Sequence, residues 1–179
     1  WFDVGTEGPL ARVELSIPAP GVVRYRVHSD GKVQLDRFDL MVPGWAPGSD
    51  ELEVTDDGEL IVLEASGTRV EVQRDPWTVI VRDQQGRPAF FEYPADVDAR
   101  GEPQSKASGF GEGEKSSGAT WVTFGLDPEE GLFGLGEKFT VVDKRGQRIV
   151  AWNRNPYGAG KELAYKNIPF MVSSRGYGL

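Results

Sequence analysis

Apolar and polar residues alternate in the stretch Ala11-Arg-Val-Glu-Leu-Ser-Ile17, and the alternation returns in Gly21-Val-Val-Arg-Tyr-Arg-Val-His-Ser29. Successive side chains of a β-strand point to opposite faces, so this period of two predicts strands with one buried face. The residues between the two stretches, Pro18 to Gly21, have the composition of a short turn. The two stretches therefore predict an antiparallel strand pair whose apolar face needs a second layer to cover it.

Short alternating runs continue through the middle of the chain, each bounded by residues typical of turns. Asp56-Asp-Gly58 tolerates left-handed backbone and predicts a hairpin, Asp75-Pro76 predicts a bend, and Asp83-Gln-Gln-Gly86 predicts another turn. Strands joined in order by such short turns form a meander. The strands predicted around these turns cover residues 52–54, 60–65, 68–74, 77–82 and 88–93.

The segment 96–118 interrupts this pattern because it is rich in Gly, Ser and charged residues and shows no apolar period. We predict a mobile loop there. Strand patterns return at 120–126, 132–139 and 168–174. No stretch keeps helical spacing of apolar residues over several turns, and 23 Gly with 12 Pro interrupt the chain too often for long helices. The predicted fold is all-β, a two-sheet antiparallel β-sandwich with few or no helices.

Charge and residue usage exclude several classes of function. The 20 Lys and Arg against 28 Asp and Glu give a formal net charge of −8, which repels nucleic acid and anionic membrane surfaces. No apolar run approaches the ~20 residues needed to cross a bilayer. With 0 Cys, the chain has no thiol to act as nucleophile or metal ligand. We expect no nucleic acid or membrane partner, no metal and no cofactor, and the absence of Cys favours a cytoplasmic location.

Four short strings near the end of the chain combine glycines, aromatics and charged residues. They are Leu132-Phe-Gly-Leu-Gly-Glu-Lys-Phe139, Trp152-Asn-Arg-Asn155, Ala164-Tyr-Lys-Asn-Ile-Pro-Phe170 and Ser173-Ser-Arg-Gly-Tyr-Gly178. In this order they resemble strings of the type YGLGEKF, WNRD, AYKNIPF and SSRGYG, which bacterial members of glycoside hydrolase family 31 carry in their N-terminal β-sandwich. This family comprises α-glucosidases and α-xylosidases.

The resemblance implies a galactose-mutarotase-like sandwich that packs against a (β/α)8 barrel. We expect residues 1–179 to form a single N-terminal domain excised from a larger enzyme. In the family both catalytic aspartates of the retaining mechanism belong to the barrel, and the nucleophile's Trp-x-Asp-Met-Asn-Glu type of motif does not occur in this sequence. The resemblance therefore implies no catalytic residue in this chain, and a parent enzyme that hydrolyses α-glucosides or α-xylosides.

The same resemblance implies that the segment 152–157 is a loop reaching over the mouth of the barrel. Trp152 and Tyr157 offer flat apolar faces to a pyranose ring, whereas Asn153, Arg154 and Asn155 offer hydrogen-bonding groups to its hydroxyls. The candidate substrate-binding residues are Trp152, Arg154, Asn155 and Tyr157. In the family the position of Asn155 is commonly Asp, which contacts the sugar in the leaving-group subsite; Asn keeps an acceptor oxygen but loses the charge. The alternative is that the two aromatic residues pack within a long crossover.

Residues near this loop are expected to support it. Glu137 follows Gly134-Leu-Gly136, where the backbone is predicted to bend, and we expect its carboxylate to pair with Lys138, with Arg175 or with backbone amides. The residues expected to anchor the returning strand are Tyr165, Asn167 and Phe170.

Two other functions stay open on the sequence alone. One is a stand-alone carbohydrate-binding sandwich that uses Trp152 and Tyr157 as its platform, and the other is a purely structural interaction domain. Sugar binding by this chain alone would favour the first. The sequence decides neither between glucose and xylose nor the oligomeric state.

Overall fold

The structure, a computed structural model, describes residues 2–4, 11–28, 51–92, 96–97, 103–105, 109–113, 116–158 and 163–179. Contacts divide the chain into two compact units, Trp1–Gly125 and Leu126–Leu179. Fourteen strands are described, and they are β1 (Phe2–Val4), β2 (Ala11–Ala19), β3 (Val22–His28), β4 (Glu53–Asp56), β5 (Leu60–Ala65), β6 (Thr68–Arg74), β7 (Trp77–Arg82), β8 (Pro88–Phe91), β9 (Asp96–Val97), β10 (Pro103–Ser105), β11 (Gly109–Gly113), β12 (Ser116–Trp121), β13 (Leu132–Gly134) and β14 (Met171–Ser173).

The first unit contains two larger antiparallel sheets. One has three strands in the order β1-β2-β3, and the other is a five-stranded meander in the order β4-β5-β6-β7-β8. In the smaller sheet Val13 lies opposite Val27 and Leu15 lies opposite Tyr25. Because side chains alternate between the faces of a strand, this register puts all four on one face, as the sequence pattern predicts.

The apolar faces of the two sheets meet in one hydrophobic core. Val13 and Leu15 of β2 are buried in a cluster with residues of β5, β6 and β7. Removing apolar area from water contributes about 25 cal/mol per Å², so this shared layer stabilises both sheets at once. The predicted two-sheet antiparallel sandwich is confirmed. The buried partners from the larger sheet are Ile61, Leu63, Val70, Val72 and Val79.

The hairpin predicted at Asp56-Asp-Gly58 is confirmed, since it joins β4 to β5. The carboxylate of Asp57 stabilises the turn because its Oδ1 accepts hydrogen bonds from the backbone N–H of Glu59 at 3.0 Å and of Leu60 at 2.7 Å. These bonds lower the pKa of Asp57. A short acidic turn thereby supplies a side-chain acceptor for its own backbone N–H groups.

The predicted strand at 132–139 is wrong in its extent. β13 ends at Gly134, because Leu135 and Gly136 after it both have positive φ, at 65° and 83°. Extended backbone requires negative φ, so the strand cannot continue through these residues. The strands predicted at 88–93, 120–126 and 168–174 likewise differ in extent from β8, β12 and β14.

The segment 96–118, predicted to be a loop, contains two strand pairs where the structure describes it. β9 pairs with β10, and β11 pairs with β12, both antiparallel. A ladder of backbone hydrogen bonds needs no apolar period, so these strands carry no alternation by which they could be predicted. The mobility of this segment stays a prediction, and residues 98–102, 106–108 and 114–115 lie outside the described ones. Nowhere in the described chain is there a helix that could span a membrane.

Candidate functional site

The second unit is organised around the antiparallel pair β13–β14, in which Leu132 lies opposite Ser173. After β13 the chain runs against residues 166–170, and the backbone N–H of Glu137 donates to Lys166 O at 2.9 Å. Gly136 is required for this approach, because a Cβ there would stand 2.1 Å from the same carbonyl oxygen. The glycine-rich bend thus brings two of the four strings together.

Asn167 ties this bend to the candidate loop. Its backbone N–H and its Nδ2 both donate to Asn153 Oδ1, at 3.1 and 2.7 Å. Lys138 Nζ in turn donates to Asn167 Oδ1 and, at 3.0 Å, to Val150 O. Arg154 N donates to Ala164 O at 3.0 Å, which adds a backbone bond one residue further along the loop. The start of the loop is therefore fixed to the returning chain by several hydrogen bonds.

Asn155 is bound from two sides. Its Oδ1 accepts a hydrogen bond from the backbone N–H of Tyr157 at 3.1 Å and another from the Tyr165 hydroxyl at 2.7 Å. Tyr157 has a φ of 45°, a left-handed conformation that is uncommon for residues other than glycine. The bond from its N–H to the Asn155 side chain closes a local turn that holds Tyr157 in this conformation.

The two aromatic candidates are presented outward. The exposed fraction of Trp152 is 66% and that of Tyr157 is 87%, which contradicts the alternative that they pack within the unit. Arg154 and Asn155 are exposed as well. Hydrogen bonds join Asn155 to Tyr157, but among the described residues none joins the side chains of Trp152 or Arg154 to the other candidates. The loop therefore offers two apolar faces together with an amide and a guanidinium.

A buried carboxylate stabilises the strand pair below this loop. Glu130 is 2% exposed, and its side chain accepts hydrogen bonds from Ser173 Oγ and, at 3.1 Å, from Asp127 N. Burial alone would raise the pKa of Glu130, but these bonds, one from Tyr177 and the charge of Arg175 outweigh it and lower the pKa. Burial and the bond to Glu130 raise the pKa of Tyr177 to about 12.

Glu137 pairs with a cation, as expected, but the cation is Lys166. Its carboxylate bonds Lys166 Nζ at 3.1 Å, rather than Lys138 or Arg175, and both side chains of this pair are exposed. Lys138 instead supports Asn167, as described above. Tyr165, expected to anchor the returning strand, also bonds Asn155, a link that was not predicted. No local signal could have made that link, because it depends on how two irregular segments meet.

In the part of the chain that the structure describes, no group of three or more His, Asp or Glu side chains is placed to hold a metal ion. Aromatic faces stack on the C–H faces of sugar rings, and amide and guanidinium groups donate hydrogen bonds to hydroxyls.

Comparison with known proteins identifies the family. The model of the glycosyl hydrolase 31 N-terminal galactose mutarotase-like domain matches residues 12–179. This chain belongs to that family, and the resemblance seen in the four strings is confirmed.

Curated relatives match over a shorter stretch. The alpha-xylosidase XylQ of Lactiplantibacillus pentosus is 50% identical over 58 residues, which are 32% of this chain and 7% of that protein. An alpha-xylosidase of Emericella nidulans is 48% identical over 62 residues, 35% of this chain and 8% of that protein. The match thus covers less than a tenth of either relative.

Solved structures share the fold over nearly the whole chain. The cycloalternan-forming enzyme of Listeria monocytogenes, solved with a pentasaccharide substrate, has a TM-score of 0.70 at 20% identity and covers 97% of this chain and 15% of its own. A family 31 dextranase of Flavobacterium johnsoniae, solved with isomaltotriose, has a TM-score of 0.69 at 22% identity, over 94% and 19%. A family 31 alpha-xylosidase from a soil metagenome has a TM-score of 0.66 at 15% identity. The match covers 99% of this chain and 27% of the alpha-xylosidase.

Proposed function

We propose that this chain is the non-catalytic N-terminal domain of a longer retaining α-glycosidase. Its catalytic carboxylates then lie in a (β/α)8 barrel elsewhere in the same polypeptide. Membership of the family supports this proposal, as does the small share, 7% and 8%, that the match takes of the two curated relatives. The domain has two roles in this proposal, support of the barrel and a contribution to the rim of its substrate site.

The contribution to the rim rests on one observation, the outward presentation of Trp152 and Tyr157 at 66% and 87% exposure. Exposing two large aromatic side chains has a cost in water that sugar binding would offset. Arg154 and Asn155 lie between them in the chain and supply the polar contacts that orient a hydroxylated ligand. The proposed binding residues are therefore Trp152, Arg154, Asn155 and Tyr157.

Support of the barrel is favoured by the exposed apolar side chains of the second unit. Val141 and Val142 are 71% and 75% exposed, and Ile168 and Phe170 are 56% and 52% exposed. Exposed apolar residues in such numbers are typical of surfaces that another protein surface covers. In this proposal the barrel covers them, so that the isolated domain is less soluble than the complete enzyme.

We propose an α-xyloside as the substrate of the complete enzyme, because both curated relatives named above are alpha-xylosidases. An α-glucoside is the competing substrate, since the dextranase and the cycloalternan-forming enzyme share the fold. Both proposals place an α-linked carbohydrate in contact with the loop. We also propose a cytoplasmic location, supported by the content of 0 Cys.

The first test is the mass of the native polypeptide, measured by immunoblot of fractionated source cells with an antibody against this domain. We expect a band several times larger than 19.7 kDa in the cytoplasmic fraction. The complete polypeptide is then purified, and kcat/KM is measured on aryl α-xylosides and aryl α-glucosides. Hydrolysis of neither class would overturn the proposed function. A band at the size of this chain would leave a stand-alone sugar-binding or structural module.

The second test addresses the rim. Trp152→Ala in the complete polypeptide is expected to raise KM for an α-linked disaccharide by about tenfold, with little change in kcat, because a stacking face is lost. Val54→Ala, an exposed apolar truncation on β4, is the matched control. If this chain alone binds sugar in isothermal titration and Trp152→Ala abolishes that binding, a stand-alone module is favoured. An unchanged KM in the Trp152 variant would contradict the proposed rim.

A further inference from the structure

The Asn155 side chain has a fixed orientation. A backbone N–H can only donate a hydrogen bond, so the atom that faces Tyr157 N at 3.1 Å must be the amide oxygen of Asn155. The Tyr165 hydroxyl donates to the same oxygen at 2.7 Å. An amide oxygen has two lone pairs, and these two donors use both of them.

The amide nitrogen of Asn155 takes no part in these two hydrogen bonds. Nδ2 carries two N–H donors, and within the described part of the chain neither of them has an acceptor. Asn155 is exposed, so these donors meet solvent or a ligand. We infer that Asn155 acts as a hydrogen-bond donor to a carbohydrate oxygen, and that Tyr165 is the positioning residue that turns its Nδ2 outward. This inference rests on the proposed function.

The polarity of this contact determines which ligand groups the loop accepts. A sugar hydroxyl can donate or accept, so it satisfies either an amide N–H or a carboxylate. A group that only accepts, such as an ether oxygen or a fluorine, satisfies the amide N–H and leaves a carboxylate facing another acceptor. Asn155 therefore admits acceptor-only groups that an Asp at the same position would reject.

Asn155→Asp isolates this property. Both internal bonds survive in the variant, because a carboxylate oxygen accepts from Tyr157 N and from the Tyr165 hydroxyl as the amide oxygen does. Only the outward group changes, from a donor to a charged acceptor. Gln84→Glu, an amide-to-carboxylate change at an exposed residue of the first unit, is the matched control for added charge.

The test uses the complete polypeptide and an α-linked disaccharide that it hydrolyses, together with a series in which each hydroxyl in turn is replaced by fluorine. At one position, fluorine is expected to lower kcat/KM about tenfold more in Asn155→Asp than in the wild type, because acceptor then faces acceptor. Gln84→Glu is expected to show no such position. Tyr165→Phe is expected to raise KM about threefold at unchanged kcat and, when combined with Asn155→Asp, to weaken the discrimination between hydroxyl and fluorine.

Three outcomes separate the possibilities. Discrimination at one position supports the inference. If the extra loss of kcat/KM in Asn155→Asp stays below about twofold at every position, the inference is overturned. The proposed function still stands in that case, provided that the disaccharide is hydrolysed and that Trp152→Ala raises KM. Absence of any α-glycoside hydrolysis by the complete polypeptide overturns both. Thermal unfolding of Tyr165→Phe is the control that shows whether this variant folds. We expect it to fold, because Tyr165 is 58% exposed.

Discussion

Asn167 binds a single oxygen of Asn153 twice, through its backbone N–H at 3.1 Å and its side-chain Nδ2 at 2.7 Å. The two residues stand in different strings of the sequence. Their contact fixes the first residues of the candidate loop to the returning segment that runs against the glycine-rich bend. The loop is consequently held by hydrogen bonds that join polar side chains and backbone.

Asn167→Ala is expected to destabilise the protein by about 1–3 kcal/mol, because it removes the side-chain bonds to Asn153, Ala164 and Lys138. Urea unfolding measures this loss. Arg154→Ala serves as the control, since its guanidinium has no partner among the described residues, and it should change stability by less than about 0.5 kcal/mol. Equal losses in the two variants would show that the Asn167 bonds do not stabilise the loop.

Gly136→Ala is expected to destabilise the protein severely, by more than about 3 kcal/mol, because strain and overlap combine. The added Cβ would stand 2.1 Å from Lys166 O at a φ of 83°. At Gly146 the φ of 69° is similar, but nothing lies within 4 Å of the added Cβ, so Gly146→Ala measures the cost of the left-handed backbone alone. Thermal unfolding of both variants separates the two contributions, and a similar shift in both would refute the close approach.

Glu130→Gln is expected to lower the free energy of unfolding by about 1–3 kcal/mol at neutral pH, because one carboxylate oxygen becomes an amide nitrogen that faces a donor. The pKa of Glu130 is lowered in the folded protein. Its contribution to stability is therefore complete above the pKa of an unfolded glutamate, about 4.3, and is lost as pH falls through the lower folded-state pKa. Urea unfolding from pH 7 down to pH 3 measures the difference between the variant and the wild type. A difference that does not shrink in acid would contradict this assignment.

Ile61→Ala is expected to lower the free energy of unfolding by about 2–5 kcal/mol, since Ile61 is 1% exposed in the layer shared by the two sheets. Val54→Ala, at an exposed residue of the neighbouring strand, should cost less than about 0.5 kcal/mol. Equilibrium unfolding in urea gives both values. A small effect at Ile61 would mean that the two sheets are not packed together as described.

The sandwich could be predicted from sequence because its signal is local. Alternation at Val13 and Leu15 marks the buried face of β2 directly, and the acidic turn at Asp56-Asp-Gly58 marks a hairpin. The end of β13 could not be predicted in the same way. Apolar residues continue past Gly134, and only the positive φ values that follow show that the strand has ended.

The position of the candidate loop in the sequence could be predicted, but the contacts of its side chains could not. The string Trp152-Asn-Arg-Asn155 identifies it by resemblance, and its composition suggests sugar binding. The roles of Asn155 and Tyr165 depend on a contact between residues ten positions apart, where no periodic pattern connects them. Irregular segments of this kind carry little sequence signal about which donor meets which acceptor.

The left-handed backbone of Tyr157 determines when the backbone part of the conformational cost arises in the proposed sugar binding. Its φ of 45° and its N–H bond to Asn155 are already in place in the folded protein. The backbone entropy lost in fixing this residue is thus part of folding, and a ligand that binds at the proposed rim does not cost it again. The backbone at Tyr157 is therefore preorganised before any ligand arrives.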